Sequence, residues 1–324
     1  MEDFLMTFVQ KTVSSMQWPF YMMLSATNAL VSLVQHEPKI MHQVVLITGA
    51  SSGLGEALAT LYSKKCDMLV LIARDKSKLK AVQQKLKGNR ANVFIHACDV
   101  TDKNAMKSII SNYPNIDLVI ANAGTCQGLL TLDNNKNIIE QTTEELFATN
   151  VHGVFNTVYP VLDAMKANKR GQICVISSIS GLGSDGIYPI YGASKVAVTA
   201  WAEGLRAMLK PYGIKVNIAC PGPVKTKLLD AMSISDLLAI TPARCADYIY
   251  KGLQDDKLHI HCWTPIYCLA WNIFHEPTYA VKKLLLDFEG SILRKPTGYN
   301  FMMEYAFKEE IPSTTVPLPL LKQI

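Results

Sequence analysis

Six short runs rich in Val, Ile and Leu recur along the chain: QVVLITG (43–49), MLVLIAR (68–74), NVFIHACDV (92–100), LVIANAG (118–124), QICVISS (172–178) and KVNIAC (215–220). Stretches of helical character, such as GEALATLYSKK and SKVAVTAWAEGLRAMLKPYG, lie between them. A strand that is apolar at most positions must be covered on both faces, so this pattern predicts a parallel sheet with helices packed on each side. Short right-handed crossovers then give an α/β fold with a Rossmann-like doubly wound sheet. The pattern spans residues 42–261, read as one domain. Residues 1–41 form an apolar N-terminal segment, and residues 262–324 form an aromatic extension with a Pro-rich tail.

The first run ends in TGASSGLG, and a helical pattern follows at once. Gly49, Gly53 and Gly55 allow a tight turn and a close approach of backbone to phosphate. The helix start behind them offers free N–H groups and a favourable dipole to a pyrophosphate. The spacing is G-x-x-x-G-x-G rather than G-x-G-x-x-G; the loop alone still reads as a nucleotide site, with an ordinary strand-to-helix turn as the alternative. The second run ends at Ala73–Arg74, where sheets that bind NAD usually carry an acidic residue for the ribose 2′-hydroxyl. Arg74 suits a 2′-phosphate instead. The adjacent Asp75 could neutralise Arg74, so NADP(H) is the preferred cofactor and NAD(H) the alternative.

The segment SSISGLGSDGIYPIYGASK carries Ser178, Tyr191 and Lys195. Tyr191 and Lys195 stand one helical turn apart on one face. A free phenol, with a pKa near ~10, is a poor base at neutral pH. An adjacent ammonium stabilises the phenolate, and the phenol can then exchange a proton with a carbonyl or alcohol oxygen. Ser178, at the end of its strand, is placed to hydrogen-bond the same oxygen.

Taken together, these ordered motifs resemble the short-chain dehydrogenase/reductase family over roughly residues 42–260. The resemblance implies that Gly49, Ser51, Ser52, Gly53, Leu54 and Gly55 form the cofactor loop. It implies that Asp99 and Val100 meet the adenine ring, and that Asn122, Ala123 and Gly124 stabilise the central sheet beside the cofactor. Asn150, Ser178, Tyr191 and Lys195 match the catalytic set, with Asn150 holding a water in a proton relay through Lys195. Pro221, Gly222, Val224 and Thr226 match the stretch that contacts the nicotinamide end. One departure is Ser52, where many NADP-preferring members carry a basic residue; the 2′-phosphate argument then rests on Arg74.

The expected activity is hydride transfer between NADP(H) and a carbonyl or alcohol. The alternative is a binding module that holds NADP(H) as a sensor or scaffold with little turnover. Leu129, Leu130, Leu132, Leu228, Leu229, Met232, Leu237 and Leu238 make the segments 125–145 and 223–241 apolar. A hydrophobic substrate of lipid, steroid or retinoid type follows as an expectation.

Other features bound the remaining classes. The net charge of +5 comes from scattered residues with no dense Lys/Arg tract, which argues against a nucleic-acid partner. Eight cysteines include no C-x-x-C pair and read as reduced thiols. With no N-x-[ST] sequon, the chain reads as an intracellular protein. Charged residues make up only 18%, and the run from Thr12 to Gln35 contains none. That run reads as a helix that anchors in or docks on a membrane with the catalytic domain facing the cytosol, as a helix packed on the protein itself, or, with Glu2 and Asp3 against it, as a cleaved signal. H-x-H-C at 259–262 reads as strand-end packing; no metal site is expected. The aromatic stretch after His261 reads as a cap over the substrate site, a subunit contact in a homodimer, or a membrane-facing patch.

Overall fold

A computed structural model describes residues 42–126, 136–182, 188–232 and 239–263. The segments 1–41 and 264–324 lie outside the described residues, and so do Leu129, Leu130, Leu132, Leu237 and Leu238. Among the described residues, no helix is long and apolar enough to cross a membrane.

The six apolar runs each form a strand: β1 (Val44–Thr48), β2 (Met68–Ala73), β3 (Asn92–Ala97), β4 (Leu118–Ala121), β5 (Gly171–Ile176) and β6 (Ile214–Pro221). A seventh, β7 (His259–Cys262), is the H-x-H-C segment. All pairings are parallel, in the order β3-β2-β1-β4-β5-β6-β7. The chain reverses its direction of travel at the β1/β4 boundary, the point where a doubly wound sheet opens a crevice at its carboxyl edge. The helices are α1 (Gly53–Tyr62), α2 (Lys76–Lys85), α3 (Lys103–Ser111), α4 (Lys136–Phe147), α5 (Gly153–Ala167), α6 (Pro189–Leu209), α7 (Lys227–Ala231) and α8 (Pro242–Gln254).

Alternate strand residues serve two cores. Val45, Ile47, Leu69, Leu71 and Ile120 pack with Leu58 and Tyr62 of α1, Leu79 of α2 and Ile249 of α8. Leu46, Val70, Val119, Val175 and Ile218 pack on the other face with Met106 of α3, Val158 of α5 and Val198 and Leu205 of α6. Each such side chain, fully removed from water, contributes about 1.5–3 kcal/mol before entropy is charged against it. This two-sided burial is why the runs read as continuous rather than alternating. β3 is the exception: it forms an edge and leaves Phe94 exposed.

At the amino edge of the sheet, Asp117 accepts the Gln43 and Val44 N–H groups at 2.8 and 3.1 Å and pairs with Arg170 at 2.9 Å. Seven cysteines fall within the described residues, all as free thiols, and only Cys126 is not buried. Burial pushes the Cys66 thiol up to about 12, which suits an inert core residue.

Candidate active site

The turn after β1 is held open by geometry that only glycine meets easily. Gly49 and Gly53 take φ of +66° and +56°. A Cβ on Gly55 would stand 2.2 Å from the Gly49 carbonyl oxygen. Ser52 occupies the N-cap of α1, yet its side chain makes no capping bond, so the helix start keeps its N–H groups for another acceptor. Leu54 and Ser51 are partly exposed on the same turn. Gly53 also lies against Thr226: a Cβ there would be 3.0 Å from the Thr226 methyl. The glycine loop and the stretch after β6 thus meet across the sheet edge.

Thr48 and Asn122 bind the reversal point together. The Thr48 hydroxyl accepts from the backbone N–H of Asn122 and of Ala123, at 3.1 and 3.2 Å. The Asn122 amide donates to the Thr48 carbonyl at 2.9 Å. These bonds join the ends of β1 and β4. Thr48 itself carried no signal that would separate it from any strand threonine.

At the far end of the same edge, Arg74 is exposed and lies 3.8 Å from Asp99. Asp75 does not pair with it. Its carboxylate caps α2, accepting from the Ser77 and Lys78 N–H groups and from the Ser77 hydroxyl. Those bonds hold the Asp75 carboxyl well below the usual range. Asp99 accepts from the Thr101 N–H and hydroxyl, both at 2.9 Å, which fixes the turn after β3. Val100 is buried against Gly153, where a Cβ would come within 2.6 Å of the valine methyl.

The catalytic candidates converge beyond the ends of β4 and β5. Tyr191 and Lys195 both lie on α6 and are buried. The Lys195 ammonium sits 5.7 Å from the centre of the Tyr191 ring. It donates to the Ile176 carbonyl at 2.9 Å. Burial lowers its pKa to about 8. The Gly124 backbone comes close as well: a Cβ there would be 3.4 Å from the Lys195 nitrogen and 3.3 Å from the Asn150 oxygen. Asn150 sits in a π-turn, Ala148–His152, between α4 and α5, a distortion common where a helix must aim a side chain at a site. Both ends of its amide are engaged. Its oxygen accepts the Thr125 N–H at 2.8 Å; its nitrogen donates to the Thr125 carbonyl and the Ser194 hydroxyl, at 2.9 and 3.0 Å. Ser194 in turn donates to the Tyr191 carbonyl at 2.7 Å. Thr125 and Ser194 therefore belong to the site, and sequence reading passed over both, since a serine between Tyr191 and Lys195 looks like any helix residue.

Ser178 begins the short 3₁₀ turn Ile179–Gly181, and its oxygen accepts the Ser180 N–H at 3.2 Å. A hydroxyl that accepts there still has its own proton to donate. Neighbouring Ser177 bonds Thr199 and the Lys195 carbonyl, at 2.7 and 3.2 Å, and ties β5 to α6. After β6, the Gly222 N–H reaches the Cys262 carbonyl at 3.3 Å, and Val224 bridges to Ile240. Pro221 ends β6 itself. The buried Trp263 indole N–H donates to the Cys220 carbonyl, and its ring stacks on His261 at 4.6 Å. In the same segment, the His259 ring nitrogen lies 3.0 Å from the Glu203 carboxylate. Among the described residues, no three metal-ligating side chains gather.

The comparisons with known proteins agree with this architecture. A family profile described as short chain dehydrogenase matches residues 43–235. An uncharacterised oxidoreductase of Listeria innocua is 32% identical over 245 residues, covering 69% of this chain and 96% of that protein. An 11-beta-hydroxysteroid dehydrogenase-like protein of Arabidopsis thaliana is 32% identical over 253 residues, covering 75% of this chain and 80% of that protein. A solved short-chain dehydrogenase from Sphingobium yanoikuyae, in complex with NADPH, superposes with a TM-score of 0.64 at 26% identity, covering 76% of this chain and 96% of that one. The chain belongs to the short-chain dehydrogenase/reductase family of oxidoreductases.

Proposed function

We propose that the protein interconverts a carbonyl and an alcohol on an apolar substrate, using NADP(H), with Tyr191 as general acid and base. The observation that carries this reading is the convergence of Tyr191, Lys195 and the Asn150–Thr125 latch at the carboxyl edge of the sheet. A pure NADP(H)-binding module has no use for a buried ammonium beside a phenol.

The residues present fit the cofactor. Gly49, Gly53 and Gly55 leave a cradle that a Cβ would fill, and the uncapped start of α1 suits its phosphates. Arg74 would hold the 2′-phosphate, because Asp75 is committed to capping α2 and is a poor partner for a ribose hydroxyl. Asp99 and Val100 would border the adenine, and Pro221, Gly222, Val224 and Thr226 the nicotinamide end. The NADPH in the Sphingobium yanoikuyae structure supports the same choice. In this chain the cofactor would supply the hydride chemistry, giving a hydride to a carbonyl carbon or taking one from an alcohol.

The chain's own groups handle the oxygen. In the reducing direction Ser178 donates a hydrogen bond to it and Tyr191 gives it a proton. Lys195 favours the resulting phenolate by its charge, and it has N–H groups beyond the one given to Ile176 for a ribose hydroxyl. Asn150 fixes the loop after β4, and the second lone pair of its amide oxygen is what it can offer a relay water. Met232, buried beside Tyr191 and Tyr188, argues for an apolar substrate, as does the hydroxysteroid name of the Arabidopsis relative.

The direct test is NADPH consumption against apolar ketones, aldehydes and quinones, with soluble sugars as the contrast. Turnover of the apolar members is expected. Tight NADPH binding with no turnover across the panel would favour the sensor reading. Arg74→Ala is expected to weaken NADPH affinity by about 1.5–3 kcal/mol and leave NADH nearly unchanged, as titration of both cofactors would show. Equal weakening of the two would make Arg74 structural.

A further inference from the structure

We propose that Tyr188 sets the substrate preference by clasping the short helix α7 against the catalytic helix, and that the wall so formed favours a bulky apolar group beside the reacting carbon. The proposal rests on the catalytic reading above and adds to it a residue that no motif marks. Tyr188 stands immediately before α6, three positions ahead of Tyr191. It is buried, and its ring packs with Leu146, Tyr191 and Met232, with Cys126 and Ile190 against the same cluster. Its hydroxyl donates to the carbonyl of Met232, the residue that follows α7.

A helix of five residues is too short to hold itself. Three ties place it: Thr226 against Gly53 at its start, the Cys126 thiol on the Leu228 carbonyl at 3.5 Å, and the Tyr188 hydroxyl on Met232 at its end. The first tie reaches the cofactor loop and the other two reach the surroundings of Tyr191. The distance from Met232 to Tyr191 is therefore fixed by the Tyr188 hydroxyl. The clustered side chains Leu146, Tyr188, Met232, Cys126 and Ile190 bear no charge, and Tyr188 gives its hydroxyl proton to a backbone carbonyl. A polar substituent pressed against this cluster would lose water for few polar partners, whereas a bulky apolar one would pack against it.

Tyr188→Phe removes the clasp and keeps the ring. The first readout needs no turnover: iodoacetamide labelling of the ligand-free protein, mapped by peptide mass spectrometry at Cys126 and at the buried Cys174. Release of α7 is expected to speed labelling of Cys126 by about fivefold or more, with Cys174 still protected. The second is selectivity: kcat/KM for an aryl alkyl ketone relative to acetone is expected to fall about tenfold in the variant, with NADPH affinity unchanged. Unchanged Cys126 labelling overturns the proposal. Faster labelling of both cysteines also overturns it, because the substitution would then have loosened the whole domain. A parallel fall of kcat/KM for both ketones overturns the specificity role. If Cys126 is released as expected but the wild-type protein turns over no ketone, the catalytic reading fails and takes the substrate half of the proposal with it, while the clasp is supported.

Discussion

Replacing Lys195 with methionine is expected to abolish most activity and raise stability in the same variant. The ammonium is buried, and burial lowers its pKa from 10.5 to about 8. That lowering corresponds to about 3 kcal/mol of cost for keeping the charge inside at neutral pH. Methionine keeps most of the aliphatic stem and removes the charge. It also leaves the Ile176 carbonyl without its donor, a loss of about 1 kcal/mol. The net expectation is a gain of about 1–3 kcal/mol at pH 7, read by urea or thermal unfolding of the ligand-free protein. The pH dependence has a definite sign. Between about pH 8 and 10.5 the unfolded chain still holds the proton that the folded chain has released, so this residue's contribution makes wild-type stability rise with pH across that window. The methionine variant should lack that rise. Turnover should drop by about 100-fold or more, since the phenol loses the cation that favours its deprotonated form. A variant less stable than wild type at pH 7 would show that Lys195 is a packing residue.

Tyr191→Phe should act on the rate alone. The ring stays in its cluster with Leu146, Tyr188 and Met232, and only the proton is lost. Turnover is expected to fall by about two orders of magnitude or more, with NADPH affinity and unfolding midpoint close to wild type. Single-turnover assays beside a cofactor titration separate the two effects. Near-normal turnover would remove Tyr191 from the chemistry, and the sensor reading predicts no functional change at all.

The sheet was legible in the sequence because its strands are buried on both faces, which leaves continuous apolar runs. The same logic explains what could not be read. β7 offers only Ile260 and Cys262 to the core, while His259 and His261 stack along the other side, so its pattern is too short and too polar to mark a strand. Tyr191 and Lys195, the candidate catalytic pair, stood out through their spacing together with the other ordered motifs around them. The groups that aim them did not, since Thr125, Ser194 and Ser177 act through backbone carbonyls and N–H groups that no residue pattern encodes. The Arg74–Asp75 pair was ambiguous on paper. In the structure Asp75 is the N-cap of α2 and accepts the Ser77 and Lys78 N–H groups, a role that its position in the sequence did not announce.

The strand order also bears on how the chain is made. β1 pairs with β2 on one side and with β4 on the other. On a ribosome, β2 emerges soon after β1, but β4 follows only after β3 and two helices have been synthesised. Through that interval the second edge of β1 carries unpaired N–H and C=O groups, the surface on which strands of neighbouring nascent chains can add. The arrival of β4 ends that exposure, and it brings with it, at either end, the Asp117 carboxylate for Gln43 and Val44 and the Asn122 amide for Thr48. Slow synthesis between residues 74 and 117 should therefore be the stretch at which this protein is most in need of a chaperone.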